Sequence, residues 1–150
     1  MKITEILEAE HRVMLIVFDQ IERVLPSLDV LREATTLARI VEGMLEGHGQ
    51  AETDLAYLAL DQVLEEKGQL DRLHEEHQEI DASLHRVFTS GSCAEAKRLL
   101  TAAIAKSRQH FQFEEQAVFP LLDRALQEDT LTQLAAEMKH RMPPAPNSSH

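Results

Sequence analysis

The chain has 150 residues, the usual size of one domain. Its 15 basic and 26 acidic side chains give a net charge of −11, so the phosphate backbone of nucleic acid is an unfavourable partner. The single cysteine excludes an internal disulfide and a cysteine-based metal site. The N-terminal segment MKITEILEAEH is charged throughout, and no stretch has the roughly 20 apolar residues that a membrane span needs, so we expect a cytoplasmic protein that contacts no membrane.

The first half of the chain predicts two long helices. Apolar residues recur at steps of three and four over residues 3–25, which is typical of a helix with one buried face. Pro26 ends this helix, and a second is expected over about residues 31–65, before Lys67 and Gly68. The expected inward stripes are Ile3, Leu7, Met14, Phe18, Ile21 and Leu25, then Leu37, Val41, Met44, Leu55 and Ala59.

The second half predicts two more long helices and a short one. A third helix is expected over residues 70–88, and after the turn Ser90-Gly91-Ser92 a fourth reaches about residue 126. Pro120 lies inside the fourth helix and should bend it or leave a carbonyl unpaired. The expected inward residues are Leu70, Leu73, Ile80, Leu84 and Val87, then Leu99, Ala103, Ser107, Ala117 and Leu121.

The order of these elements predicts the fold class. Short loops between long helices make consecutive helices antiparallel, so we expect an all-α, up-down-up-down four-helix bundle. A short fifth helix over about residues 130–142 completes one domain, residues 1–142. The Pro- and Ser-rich end PPAPNSSH, residues 143–150, is expected to be a disordered tail.

Titratable side chains fill gaps in the apolar stripes. They are His11 in the first helix, His48 and Glu52 in the second, His77 in the third, and His110 and Glu114 in the fourth. Each half of the chain repeats one pattern, because Glu-His occurs at 10–11 and 76–77, and H-x-x-x-E occurs at 48–52 and 110–114. A duplicated helical hairpin would therefore bring the two sets face to face inside the bundle.

Six such groups at one level of a core need partners, because an unpaired buried polar group costs several kcal/mol. They either hydrogen-bond to each other as a structural polar layer or bind metal, and we favour metal because its positive charge offsets the glutamates. Nitrogen and oxygen ligands from two similar halves suit two ions bridged by carboxylates. These ligand types favour iron, with manganese or zinc as alternatives.

The pattern resembles the hemerythrin-like, HHE cation-binding domains over about residues 5–126, most specifically in HFQFEEQAVFP at 110–120 and in the two Glu-His pairs. The resemblance implies a carboxylate-bridged, non-haem centre of two iron ions (Fe2+/Fe3+) with a bridging oxo or hydroxo group. It further implies that one iron is served by His11 and His48, that the other is served by His77 and His110, and that Glu52 and Glu114 bridge.

The sequence departs from the oxygen-carrying members of that family. Those members have five histidine ligands, with H-x-x-x-H on the third helix and an aspartate five residues after the last histidine. Here Leu73 stands four residues before His77, His74 stands three before it, and Glu115 takes the aspartate position. His74, at the edge of the stripe, is a candidate fifth histidine ligand. Three other histidines are expected to face solvent: His85, His140 and His150.

Several functions are compatible with this resemblance. The favoured one is binding of O2 or NO for sensing or storage, and the alternative is an enzyme acting on peroxide or oxygen. Iron donation in the repair of metal centres is expected less, because members with that role often carry a cysteine-bearing segment before the first helix. A different class of function is an interaction module whose metal is only structural. The oligomeric state is left open by the sequence.

Overall fold

The computed structural model describes residues 1–66 and 68–141, and all regular structure in this part of the chain is helical. The helices are α1 (Ile3–Val24), α2 (Leu31–Ala51), α3 (Leu58–Val63), α4 (Asp71–Phe88), α5 (Cys93–Phe113), α6 (Phe119–Ala125) and α7 (Glu128–His140). Two π-helical segments, Glu52–Tyr57 and Glu114–Val118, join α2 to α3 and α5 to α6 without a break. None of the described helices is long and apolar enough to cross a membrane.

Four long helical rods, over residues 3–24, 31–63, 71–88 and 93–125, form the bundle, and α7 packs against α1. The predicted all-α bundle with a short C-terminal helix is confirmed. The serine hydroxyl of Ser92 accepts a hydrogen bond from the Glu95 amide (3.2 Å) and so caps α5. Lys67 and the expected tail at 143–150, with His150, lie outside the described residues.

The core consists of two hydrophobic clusters that lie on either side of a polar layer. One cluster contains the C-terminal part of α1 and its partners, including Phe18, Leu84 and Leu100. The other contains the N-terminal part of α1 together with α3, α6 and α7, including Leu7 and Leu122. The polar layer between them holds the histidines and glutamates that interrupt the apolar stripes. The bundle therefore places a set of ionisable groups where apolar side chains would otherwise continue the core.

The predicted stripes of the first and third helices are buried throughout, but those of the second and fourth are partly wrong. In α2 the buried positions include Ala34, Ala38 and Leu45, whereas Leu37 and Met44 are only partly buried. Beyond each π-helical segment the buried face lies one residue later than expected. Leu60 is buried in place of Ala59, and Val118 and Leu122 are buried in place of Ala117 and Leu121.

The extra residue of a π turn explains this displacement. A π turn closes i→i+5 hydrogen bonds, so every following side chain is rotated relative to a regular helix. The second segment ends just before α6, where Pro120 lies in the first turn. Because the helix continues through this proline, its missing N–H falls inside the helix, and the expected disturbance takes the form of the π turn just upstream.

Candidate metal centre

Four histidines and two glutamates converge in the polar layer. One histidine comes from each of α1, α2, α4 and α5: His11, His48, His77 and His110. Each glutamate is the first residue of a π-helical segment, Glu52 in one and Glu114 in the other. Single π turns inside α-helices occur frequently at functional sites. The same backbone feature therefore marks the carboxylate in both halves.

These side chains form two groups of four. Within each group the ligand atoms all lie within 4.8 Å of one another: His11, His48, Glu52 and Glu114 in one, Glu52, His77, His110 and Glu114 in the other. The two carboxylates belong to both groups, so each faces two sites. Five of the six side chains are buried, and His77 is 19 % exposed. The two overlapping groups could each hold a cation, with both carboxylates available to either ion.

The potential ligand atoms crowd together across the centre. The Nε2 atoms of His11 and His48 are 3.0 Å apart, and His11 Nε2 lies 3.6 Å from Glu114 Oε1. On the other side, His110 Nε2 is 3.1 Å from Glu114 Oε1, and His77 Nε2 is 3.7 Å from Glu52 Oε2. Lone pairs at such distances repel one another unless a proton or a cation lies between them.

Three buried atoms of the centre have no hydrogen-bond partner in the described part of the chain: Glu52 Oε1, His110 Nε2 and Glu114 Oε1. The 3.1 Å contact between the last two lacks hydrogen-bond geometry. An unsatisfied buried polar atom costs about 1–3 kcal/mol, and a bound cation would use the lone pairs of all three. Imidazole and carboxylate are ligands for iron, manganese and zinc. The residues therefore fit a pair of such ions.

Two glutamates orient the histidines of α2 and α5. His48 donates its Nδ1–H to Glu10 Oε1 (2.8 Å), and His110 donates its Nδ1–H to Glu76 Oε2 (2.6 Å). A proton held on Nδ1 leaves the Nε2 lone pair free to face a metal. In each half, the residue before the first histidine thus orients the second histidine. From sequence alone Glu10 and Glu76 either orient ligands or face solvent, and their contacts show that they orient the rings of His48 and His110.

The model for the hemerythrin HHE cation binding domain family matches residues 2–122, a range that contains all of the side chains in both groups. The chain belongs to the hemerythrin family. No curated protein and no solved structure matches it significantly. Membership in this family of cation-binding domains agrees with the two groups of nitrogen and oxygen ligands and with the orphaned buried atoms among them.

The two glutamates of this hemerythrin-family centre differ in charge state when no cation is bound. Burial and the adjacent negative charge of Glu52 raise the pKa of Glu114 well above its usual value. Burial also opposes ionisation of Glu52, but the charge of His48 and several hydrogen bonds outweigh it and hold the pKa of Glu52 well below its usual value. When the pair holds one proton, that proton therefore lies on Glu114 rather than on Glu52.

The histidines of α2 and α5 also differ. Burial lowers the pKa of His48, but attraction by Glu52 and hydrogen bonding to Glu10 outweigh burial and raise it to about 9. For His110 burial dominates and lowers the pKa despite the hydrogen bond to Glu76. Without metal, His48 is therefore an imidazolium beside an ionised Glu52, and it must lose a proton before its Nε2 can bind a cation.

Tyr57 lies directly beside the shared carboxylates. Its hydroxyl is 2.8 Å from Glu52 Oε2 and also contacts Glu114 Oε2, while its ring stacks on His77 with centroids 5.7 Å apart. Burial and the two nearby carboxylates raise the pKa of the phenol above its usual value, so Tyr57 stays protonated. Tyr57 and Phe119 occupy equivalent places in the two halves of the sequence, and sequence alone does not reveal the hydrogen bonds of Tyr57.

The remaining sequence candidates lie outside the two groups. His74 is half-buried, and its ring packs edge-on against Tyr57 with centroids 5.6 Å apart, whereas its nitrogens belong to neither group. His85 and His140 are exposed, as predicted. Glu115, which takes the position of the aspartate in the oxygen carriers, accepts a hydrogen bond from His11 Nδ1 (3.0 Å). Its position directly after the H-x-x-x-E motif of residues 110–114 was the only sequence signal that Glu115 could contact a histidine of the centre.

Proposed function

We propose that the chain is a non-haem di-iron protein that binds O2 or NO for sensing or storage, in the cytoplasm. The observation that carries this proposal is the pair of ligand groups that share Glu52 and Glu114. A single structural ion would need one group of about four ligands, whereas this chain buries two overlapping groups. Iron bound there would supply a redox couple and an open coordination position for a small ligand.

Manganese and zinc use the same ligand types as iron. We favour iron because two carboxylates shared between two pairs of histidines suit a centre that changes oxidation state. The protein's own contribution is to position ligands and control protons. Glu10, Glu76 and Glu115 hold three imidazoles with Nε2 toward the centre. The apolar clusters on both sides keep bulk water from the carboxylates, which strengthens their attraction for a cation.

A second candidate function is an enzyme that acts on peroxide or oxygen. Tyr57 favours it, because a buried phenol that stays protonated beside both shared carboxylates can donate a hydrogen bond to a group bound within the site. Reversible ligand binding does not need such a donor, although a hydroxyl there also stabilises the carboxylate pair. A Tyr57→Phe variant separates the two roles. It should leave reversible O2 or NO binding in place and abolish peroxide consumption if the protein is an enzyme.

The optical spectrum of protein purified without oxygen tests the proposed function. A charge-transfer band that appears with O2 or NO and disappears when the gas is removed would support a carrier or sensor. Irreversible oxidation accompanied by peroxide consumption would support the enzyme. A colourless protein with one zinc ion per chain would contradict both. Metal analysis of the same sample identifies the native ion.

A further inference from the structure

A cavity of about 470 Å3 leads from the surface between α2, α4 and α5 to one side of the centre. Its inner wall includes the rings of His77 and His110, and its sides include Gly49 and Thr53. A divalent cation with about six waters, at about 30 Å3 per water, occupies roughly 200 Å3. The cavity is therefore wide enough to admit a hydrated ion to the histidines.

The mouth of this cavity is acidic. Three carboxylates line it, with no lysine or arginine among the lining residues: Glu42, Glu46 and Asp81. Glu42 is partly offset by Arg39 (3.7 Å), whereas no basic side chain of the described residues pairs with Glu46 or Asp81. His48 also lines the cavity, but it is paired with Glu10 and Glu52. A cleft whose unpaired charges have one sign focuses the field and raises the local concentration of the opposite charge.

A second cavity, of about 1000 Å3, reaches His48 from the opposite side between α1, α2 and α7, but its charges balance. It is lined by three acidic and three basic residues: Glu5, Glu8, Glu10, Arg12, Lys139 and Arg141. Glu10 is further engaged by His48 Nδ1. This apolar, neutral groove gives a cation no electrostatic advantage, so the two cavities are not equivalent routes.

The inner end of the acidic cavity holds the potential ligand atoms with the fewest hydrogen-bond partners. His110 is 3 % exposed, lines the cavity, and has no hydrogen-bond partner on Nε2 in the described chain. His77 is the one histidine of the four whose Nδ1 meets no carboxylate within residues 1–66 and 68–141. No carboxylate therefore fixes this ring, which is held by stacking on Tyr57 and by contact with His110, and an imidazole at the inner end of the cavity can take an ion from it and pass it inward.

We infer that this acid-rimmed cavity is the uptake route for divalent cations, and that Glu46 and Asp81 capture the hydrated ion before His77 and His110 bind it. The inference rests on the metal centre proposed above. It makes the site next to His77 the one that exchanges ions with solvent, and the site next to His11 and His48 the slower one.

The test is the rate at which metal-free protein takes up Co2+, followed by its visible absorption after rapid mixing without oxygen. The double variant Glu46→Gln with Asp81→Asn should slow uptake by about tenfold at low ionic strength. At about 1 M salt the difference should largely vanish, because the Debye length falls to about 3 Å. The number of ions bound at equilibrium should stay the same.

A matched control removes the same charges elsewhere. Asp29→Asn with Glu137→Gln changes two exposed residues that line neither cavity, and it should leave the uptake rate unaltered. Equal slowing in both double variants would overturn the route, as would unchanged uptake in the Glu46 and Asp81 variant with full equilibrium binding. Failure of the wild-type protein to bind Co2+ at equilibrium would instead overturn the proposed metal centre itself.

A steric variant tests the same route independently. A side chain at Gly49 would point at the His77 ring, because a Cβ there would lie 3.7 Å from it, in ordinary contact. Gly49→Phe should fill the cavity and slow both uptake and release of Co2+ to a chelator. Gly43→Phe, on an open part of the same helix, is the control and should not. Faster or unchanged exchange in folded Gly49→Phe would contradict the inferred route.

Discussion

The two halves of the centre follow one plan but are enclosed differently. The ring of His11 is stacked on Phe111 (centroids 4.0 Å apart) and on Phe119 (5.4 Å), and Glu115 accepts its Nδ1–H. At the equivalent places, 62 residues earlier in the sequence, Gly49 and Tyr57 lie against the His77 ring, and Thr53 lines the same cavity as His77. An aromatic ring is replaced by a glycine, a phenylalanine by a tyrosine, and a carboxylate by a threonine.

These three replacements have a common consequence. The imidazole of His11 is enclosed by two aromatic rings and held by a carboxylate, whereas that of His77 borders the acidic cavity, stacks on a tyrosine and has no orienting carboxylate among the described residues. A duplicated helical hairpin can therefore keep identical ligand types while it assigns different access to each site. The shared ligands explain why two ions would bind, and the unshared surroundings explain why they would not behave alike.

Removing the metal should have the largest effect, because it affects both halves. Metal-free protein should unfold about 10 °C lower, since ligand present at about 1,000 times its dissociation constant contributes about 4 kcal/mol and each kcal/mol shifts the midpoint by about 2–4 °C at this size. Scanning calorimetry of metal-free and reloaded protein measures this. Equal midpoints would show that the polar layer is stable without ions.

The shared carboxylates should come next. Glu52→Ala and Glu114→Ala each remove a ligand from both groups, so each should lower metal content from about two ions to one or fewer and abolish the spectrum of a paired centre. Metal analysis with optical spectroscopy checks this. The exposed Glu79→Ala is the control. A normal paired spectrum in either variant would contradict the bridging role.

The orienting carboxylates distinguish the halves. Glu10→Gln and Glu76→Gln should each weaken metal binding by about 10–100-fold, as should Glu115→Gln at His11. Thr53→Glu should instead strengthen metal binding, because it offers Nδ1 of His77 the kind of carboxylate partner that His11 already has in Glu115. Competition with a chelator of known affinity measures all four. Weaker metal binding in Thr53→Glu would contradict the equivalence of Thr53 beside His77 and Glu115 beside His11.

Stability should depend on pH with opposite signs in metal-free and metal-loaded protein. The folded-state pKa of His48, about 9, exceeds its ordinary value of 6.5, so its contribution to the metal-free fold is complete below pH 6.5 and is lost as pH rises through 9. The free energy of unfolding should fall over that range, by at most about 1.4 kcal/mol per pH unit for this proton. The raised pKa of Glu114 acts in the same direction.

Metal-loaded protein should instead become more stable as pH rises, because His48 must release its proton to bind an ion. Urea unfolding at pH 6.5 and 9 tests both states. The metal-free His48→Ala variant should lose most of the pH dependence, whereas His85→Ala, at an exposed position, should keep it. Parallel pH profiles with and without metal would contradict the charge assigned to His48.

The smallest effect is expected from His74→Ala. His74 packs against Tyr57 and lies outside both ligand groups, so metal content should stay unchanged and the spectrum should shift only slightly. Loss of an ion would instead make His74 a fifth histidine ligand and bring the open half closer to the oxygen carriers. Metal analysis of His74→Ala beside His77→Ala, which should lose metal, decides between these outcomes.

The sequence by itself determined the fold and the convergence of the ligands. The apolar stripes of α1 and α4 and the short loops predict the bundle, and the gaps at His11 and His77 place titratable groups in its core. The repeated H-x-x-x-E motif puts a histidine and a glutamate on one helical face in each half. Periodicity is a local property, so it can be read before any tertiary contact is known.

Only the tertiary structure decided two features. One is which helix face is buried after Glu52 and after Glu114, and the other is which carboxylate contacts each histidine ring. A π turn changes helical phase without a residue signature, so Ala59 and Ala117 were placed inward in error. Which carboxylate meets which Nδ1 depends on helices from different parts of the chain, and so does the open side at His77. These features depend on packing between helices that single-helix periodicity does not contain.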